Sequence, residues 1–347
     1  MPTADLVLEG GGVKGSGLVG AISALVTRDD PYTFARVAGT SAGAIVASML
    51  AAGVQVTEIK KIMDDLDFSQ FQDEPKIFSH APHIGAAVGL LLKQGMFLGD
   101  FLHRWIADIL AERGVRTWAD LKNDDPGSAL PPARQYKLVV IVSDVSRGLM
   151  LRLPWDYREF LGVDPDTQLV ADAVRASASI PFFFEPFRLT TDPKLTGHSH
   201  IVCTDGGMLS NYPIDIFDRH DGTPPRWPTL GIKLSAQSNI STTAWSPDAT
   251  NLQLAKSLLS TMQGAHDRVY VSDPSFSSRT IFVDTTGFSA TQFSLSTADK
   301  TTLFTNGHSS AQRFLDCWNW QKWLHGDYAE LLTAVALHGR VEPPKST

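Results

Sequence analysis

The chain has only two cysteines in 347 residues, Cys203 and Cys317. Two are too few for a disulfide framework, and each lies in a mostly apolar segment that suits a reduced core thiol, so a cytoplasmic protein is expected. A long hydrophobic run is also missing. A membrane-spanning helix takes about 20 apolar residues, whereas the run from Ile84 to Leu92 stops after nine. The N-terminus has no charged start leading into an apolar signal core and enters a strand pattern within a few residues; export without a cleaved signal would leave the same sequence. Basic charge is in deficit, 30 Lys and Arg against 37 Asp and Glu for a net charge of −7. No overall positive field exists to hold nucleic acid or to draw the protein to an anionic bilayer. Nucleic acid is therefore excluded as a partner, and any transient contact with a membrane or micelle has to be apolar. No stretch has the oxygen-ligand pattern of a calcium loop. His198, His200 and Cys203 alternate just before Asp205, but the two histidines fall in a loop and no further ligand cluster follows, so neither a metal nor a cofactor is expected.

What is present is ordinary globular composition, 43% hydrophobic and 19% charged, with no internal repeat and no low-complexity linker. A chain of this length buries a large core. Residues 1–340 read as one domain, with a motif-bearing core at about 5–216, a mixed helical part over 250–340 and a tail at 341–347.

The rest is arranged around Gly39-Thr40-Ser41-Ala42-Gly43. A β-prone run from Phe34 stops at Gly39, and a helix-forming apolar run from Ala42 to about Gly53 begins at once. Ser41 thus falls on a strand-to-helix turn, the Gly-X-Ser-X-Gly nucleophile elbow. Such a serine is held at a strained backbone angle, and only glycines let strand and helix close so tightly around it. The helix aims unpaired N–H groups and partial positive charge at any oxyanion formed beside Ser41. Spacing alone also fits a glycine-flanked N-cap serine.

Upstream, residues 5–9 read as a short buried strand that empties into Gly10-Gly11-Gly12-Val13-Lys14-Gly15, and residues 18–26 as a helix. The pattern formally matches Gly-X-Gly-X-X-Gly. A dinucleotide site needs an acidic residue at the end of the next strand, where this chain has Gly39-Thr40-Ser41. Lys14 also lacks the Gly-Lys-Ser/Thr spacing of a phosphate loop. A row of backbone N–H groups at a helix N-terminus, one strand from a nucleophilic serine, describes an oxyanion hole with Gly10, Gly11 and Gly12 as donors. Downstream, a strand over 201–204 ends in Asp205-Gly206-Gly207. A carboxylate held beside open space suits a general base, and a plain turn has the same pattern.

Between these motifs, Thr57 is expected to cap a helix running to Leu66, and Asp100 one running to Arg113. Periodicity lapses over 67–99, where Ile84 to Leu92 reads as a core helix or, over Ala86 to Leu92, as a lid. Residues 136–144 make the strongest central strand and turn into a second at 149–153. Further strands are expected at 230–234 and 281–284, and helices at 167–177, 252–271 and 297–323. The segment Arg175-Ala176-Ser177-Ala178-Ser179-Ile180-Pro181 ends one helix ahead of an aromatic cluster. It is either core packing or a wall of an acyl pocket.

In order along the chain, Gly10 to Gly15, Gly39 to Gly43 and Asp205 to Gly207 resemble the patatin-like phospholipase family, whose glycine-rich loop, serine elbow and Asp-Gly-Gly/Ala motif they match. Arg175 to Pro181 is similar to the segment that family carries between elbow and aspartate. Glu9 stands where the family often has Asp, and Lys14 where it often has Arg; the charge is kept without the planar fork, which leaves the loop's bracing open. The resemblance implies an α/β fold, a patatin-like three-layer α/β/α arrangement with a mostly parallel central sheet. It also implies a Ser-Asp dyad without metal, in which Ser41 is the nucleophile and Asp205 the base. Gly10, Gly11 and Gly12 would hold the oxyanion, supported by Val13, Lys14, Gly15, Gly39, Thr40, Ala42, Gly43, Gly206 and Gly207. An ordinary aspartate, with a pKa of about 3.9, is a poor base at neutral pH and needs a sheltered site. The implied activity is that of a lipid acyl hydrolase, of phospholipase A or lysophospholipase type, on a phospholipid or other lipid ester. A general carboxylesterase on small soluble esters would share the dyad, and a non-catalytic nucleotide- or phosphate-binding protein would use the glycine loop alone. A Ser-Asp-His triad would have to draw on His220, His266, His308, His325 or His338, none of which sits in a strand-end motif.

Overall fold

The computed structural model describes residues 1–73, 95–234 and 272–338. Its strands are β1 (Thr3–Leu8), β2 (Thr33–Thr40), β3 (Gly95–Phe97), β4 (Leu138–Asp144), β5 (Leu149–Leu153), β6 (Phe182–Phe184), β7 (Phe187–Thr190), β8 (His200–Asp205), β9 (Thr229–Lys233) and β10 (Thr280–Phe282). Its main helices are α1 (Gly15–Val26), α2 (Ala42–Ala51), α3 (Val56–Asp65), α4 (Asp100–Glu112), α5 (Val170–Ser177), α6 (Thr297–Cys317), α7 (Trp320–His325) and α8 (Tyr328–His338). The central sheet runs β10-β9-β1-β2-β4-β8-β7, with β5 also on β4, and β3 pairs with β6 apart from it. β10, β9, β1, β2 and β4 are parallel, and helices flank the sheet. All seven residues of β4 are buried, as a strand covered on both faces requires.

One detail of register positions the site. β2 pairs with β4 up to Thr40 opposite Ile141, and β8 pairs with β4 from Asp205 opposite Val142. β5 already lies along the other side of β4 over these same residues, so β2 and β8 share one side. Running in opposite directions, they meet end to end there. Ser41 follows the last residue of β2, and Asp205 is the last residue of β8. Two residues 164 positions apart in the sequence are thereby brought together by consecutive residues of one strand.

Directly after the glycine loop, α1 touches α6 backbone to backbone. A Cβ at Gly20 would collide with the Phe304 carbonyl, and one at Gly307 with the Gly17 carbonyl.

Several boundaries differ from the sequence reading. α3 starts at Val56 with extended Gln55 as its N-cap, so Thr57 lies inside the first turn. Asp100 is the first residue of α4, not its cap; Gly99, at φ 74°, is the N-cap and has no side chain to offer. The capping groups come from Asp73, whose carboxylate accepts the N–H of Gly99 at 2.7 Å and of Phe101 at 2.8 Å. The helix expected over 297–323 breaks at Trp318 because Asn319 turns extended and its side chain caps α7 by accepting the Lys322 N–H at 3.0 Å. α5 begins only at Val170, after a separate turn at Pro165–Thr167. The apolar run 84–92, the helix expected over 252–271, His266 and the tail lie outside the described residues. Among the described residues no helix is long and apolar enough to cross a membrane.

Candidate active site

Ser41 has φ 53° and ψ −122°, a left-handed backbone that a residue with a Cβ rarely adopts. The flanking glycines explain how it is tolerated. A Cβ on Gly39 would run into the Gly43 backbone, and one on Gly43 into the Leu8 carbonyl at the end of β1. The strained turn is also tied from outside. The Ser41 N–H donates to Ser177 Oγ at 2.9 Å, and Ser177 Oγ donates to the Ile141 carbonyl at 2.6 Å.

Asp205 is buried. Its N–H donates to the Ser179 carbonyl at 2.9 Å, and its Oδ1 accepts the Gly207 N–H at 2.8 Å. Its Oδ2 is buried with no hydrogen-bond partner. Desolvation pushes the carboxyl up to about 6 from the usual 3.8, against the opposing pull of the Ser41 hydroxyl and the Gly207 amide. The segment 175–181, which sequence left as either packing or pocket wall, is both and something more. Ala178 and Ile180 line the pocket, while Ser177 and Ser179 hold Ser41 and Asp205. Arg175 is buried and donates to the carbonyls of Gly99 at 2.9 Å, Leu98 at 2.7 Å and Glu185 at 3.1 Å, fixing this segment to α4 and β6.

The three loop glycines are not equivalent. Gly10 donates its N–H to the Asn211 carbonyl at 3.2 Å, and the Asn211 side chain donates back to the Gly10 carbonyl at 3.2 Å. The amides of Gly11 and Gly12 make no hydrogen bond among the described residues. Gly12 sits at φ 57°, and a Cβ there would strike the Ala290 carbonyl, which accepts the Val13 N–H at 3.1 Å. The loop is braced through Glu9, which is buried against Lys233 and also accepts the Leu234 N–H. Lys14 does not join that pair. Its ammonium lies 3.5 Å from the Leu234 carbonyl and 3.4 Å from Thr285 Oγ1, and burial pulls its pKa down despite the nearby Glu9 charge.

Ser41 opens into a pocket of about 470 Å³, counting its open mouth. Gly12, Val13 and Ala42 line it beside the serine, and Ile45, Met63, Leu66, Phe71, Trp105 and Phe184 form much of the rest, with no charged side chain in the described lining. Part of that wall is clamped by Lys300, whose ammonium caps the end of α3 by donating to the carbonyls of Asp64 at 2.8 Å and Leu66 at 2.6 Å. The same ammonium lies 5.1 Å from the Phe68 ring centroid.

His198 and His200 are exposed and Cys203 is buried, and among the described residues no three His, Cys, Asp or Glu cluster as metal ligands. His220, His308 and His325 do not line the pocket. The residues that sequence missed are Ser177, Ser179, Asn211, Ala290 and Phe293. Only the hydroxyl pair in 175–181 stood out beforehand, as part of a motif without an assigned task.

Comparison with known proteins gives a family and several relatives. The model of the patatin-like phospholipase family matches residues 6–218. An uncharacterized protein of Bacillus subtilis (strain 168), YqhO, is 34% identical over 316 residues, covering 91% of this chain and 99% of that protein. An uncharacterized mimivirus protein, R571 of Acanthamoeba polyphaga mimivirus, is 30% identical over 215 residues, covering 62% of this chain and 61% of that one. Among solved structures, VipD from Legionella pneumophila aligns with 96% of this chain and 74% of its own at 18% identity and a TM-score of 0.48. Full-length ExoU from Pseudomonas aeruginosa, in complex with SpcU, aligns with 91% of this chain and 52% of its own at 18% identity and a TM-score of 0.45.

Proposed function

Since the chain belongs to the patatin-like phospholipase family, and so is a lipid acyl hydrolase in general terms, we propose that it cleaves carboxylic esters of phospholipids or related lipids through an acyl-enzyme on Ser41. The type of reaction is that of a phospholipase A or lysophospholipase. Ser41 Oγ attacks the ester carbonyl carbon while Asp205 takes the hydroxyl proton. The carbonyl oxygen becomes an oxyanion and accepts hydrogen bonds from the Gly11 and Gly12 amides, with the N-terminus of α2 adding its field. The intermediate then collapses: the carbon–oxygen bond to the alcohol breaks, and Asp205 returns the proton to that oxygen. Water attacks the acyl-enzyme by the same route, giving up a proton to Asp205, and the fatty acid leaves as Ser41 recovers its hydrogen.

One observation carries the reading: a buried, unpartnered carboxylate oxygen on Asp205 beside a serine held at a strained elbow. The raised carboxyl pKa, about 6, suits a base working near neutral pH far better than that of a free aspartate. The described lining beside Ser41 carries no charged side chain, which supports an acyl chain as its occupant and disfavours a nucleotide or a free phosphate. Contact with the lipid aggregate is apolar and transient, as the net charge of −7 requires.

The test is fatty acid release from a diacyl phospholipid in mixed micelles, with Ser41→Ala protein as the blank. Release that disappears with the mutation is the expected result. Ser41-dependent hydrolysis of a short soluble ester, with none of the phospholipid, would instead identify a carboxylesterase.

A further inference from the structure

Residues 285–296 lie beyond the stretch matched by the family, 6–218, yet they reach the site at three points. The Ala290 carbonyl holds the Val13 N–H at 3.1 Å and lies against Gly12. Thr285 Oγ1 lies 3.4 Å from the Lys14 ammonium. Phe293, only 7% exposed, lines the same pocket as Ser41. Its ring lies flat on Phe183, with centroids 4.3 Å apart and planes 8° apart, and meets Phe184 edge-on at 6.4 Å. Phe183 is backed in turn by Phe97 at 4.7 Å.

Both ends of this strap are fixed. Behind β10, Thr285 Oγ1 donates to the Leu234 carbonyl at 2.8 Å. At the other end Ser296 opens α6 with a reciprocal cap, accepting the Asp299 N–H at 3.1 Å while Asp299 accepts the Ser296 N–H at 2.9 Å. A stacked ring held between two anchored ends does not rotate aside as a lone Leu or Met of the wall can. Displacing it would unstack Phe183 and pull on the carbonyl that steadies the oxyanion loop.

We propose that Phe293 is the specificity-determining residue of the acyl pocket: its ring fills space beside Ser41 that a longer acyl chain needs, and so sets the upper limit on chain length. The proposal rests on Ser41 being the residue that is acylated. Chain-length selection then follows from a residue contributed by the C-terminal part of the chain, while the dyad comes from the matched part.

The experiment measures kcat/KM for p-nitrophenyl butyrate and p-nitrophenyl palmitate with the wild type, Phe293→Ala, Phe293→Leu and Phe293→Trp, with Ser41→Ala as the blank. Because a single methylene in an apolar pocket changes discrimination by about tenfold or more, the palmitate-to-butyrate ratio should rise at least about tenfold in Phe293→Ala, rise less in Phe293→Leu and fall in Phe293→Trp. If Phe293→Ala does not fold, Phe293→Leu and Phe293→Trp still carry the test, since they must move the ratio in opposite directions. An unchanged ratio in variants that keep Ser41-dependent hydrolysis overturns the proposal and leaves the proposed activity standing. Hydrolysis that persists in Ser41→Ala removes the activity and the proposal together.

Discussion

The backbone N–H of Ser41 is held by the hydroxyl of Ser177 at 2.9 Å, and that hydroxyl in turn donates to the Ile141 carbonyl at 2.6 Å. One side chain therefore ties α5 to both β4 and the elbow. Ser177→Ala leaves two buried backbone groups unpaired and lets the strained turn relax. We expect a stability loss of about 1–3 kcal/mol and a kcat lower by roughly tenfold, with KM little changed because the pocket wall is untouched. Thermal melts and steady-state kinetics on a soluble ester check both.

Burial lifts the Asp205 carboxyl to about 6, and a base must be ionised to work. kcat/KM should therefore climb through about pH 6 and level off above it. The same shift acts on stability with a definite sign. The folded pKa lies above the unfolded one, so the folded state holds the extra proton between about pH 4 and pH 6, and stability is lost as pH rises through that window. At neutral pH the ionised group costs on the order of 3 kcal/mol. Asp205→Asn should abolish hydrolysis yet raise Tm at pH 8, with no gain at pH 3.5.

Glu9 and Lys233 are both buried and paired. Lys233→Met removes the ammonium that faces the buried Glu9 carboxylate and should cost about 3–5 kcal/mol in a urea titration. Adding Glu9→Gln should recover much of that loss, since the buried carboxylate charge is then removed along with the ammonium that faced it. A double mutant no better than the single would mean that the pair does not hold the glycine loop through its charge.

Gly12 combines φ 57° with a Cβ position blocked by the Ala290 carbonyl. Gly12→Ala should displace the loop and with it an oxyanion donor, lowering kcat by about 100-fold or more. Substrate binding in the pocket should change far less, as KM and a non-hydrolysable phosphonate would report.

His220 and His325 are exposed, and neither they nor His308 reach the pocket. Replacing His220, His266, His308, His325 and His338 singly by Ala should leave kcat/KM within about twofold. A single essential histidine would convert the proposed dyad into a triad.

The glycine loop, the elbow and Asp205 were legible in the sequence because each obeys a local backbone constraint that only certain residues satisfy. Gly39 and Gly43 have no room for a Cβ, and such crowding shows as glycine at fixed spacing. The central strand was readable from the apolar run Leu138–Asp144, while the parallel order of the sheet came from the family resemblance. What stayed hidden are contacts between residues far apart in the chain, which leave no periodic trace. Asp73 caps α4 from 26 residues upstream of Gly99, so Asp100 looked like the cap. Gly10, grouped with its neighbours as a donor, has its amide held by Asn211 across 201 positions. Phe293 follows a stretch with no recognisable motif, and its place in the pocket depends on how β10 and α6 anchor the strap between them.

β9 and β10 both lie outside residues 6–218, yet β9 hydrogen-bonds along β1, the strand that delivers the glycine loop. A protein trimmed to the matched stretch would bare one whole flank of β1, an unpaired row of N–H and C=O groups flanked by Leu6, Val7 and Leu8. Such an edge is a template for strand addition and aggregation. The C-terminal part of the chain thus closes the edge of the strand that carries the glycine loop, and a shortened version would have to supply a substitute strand.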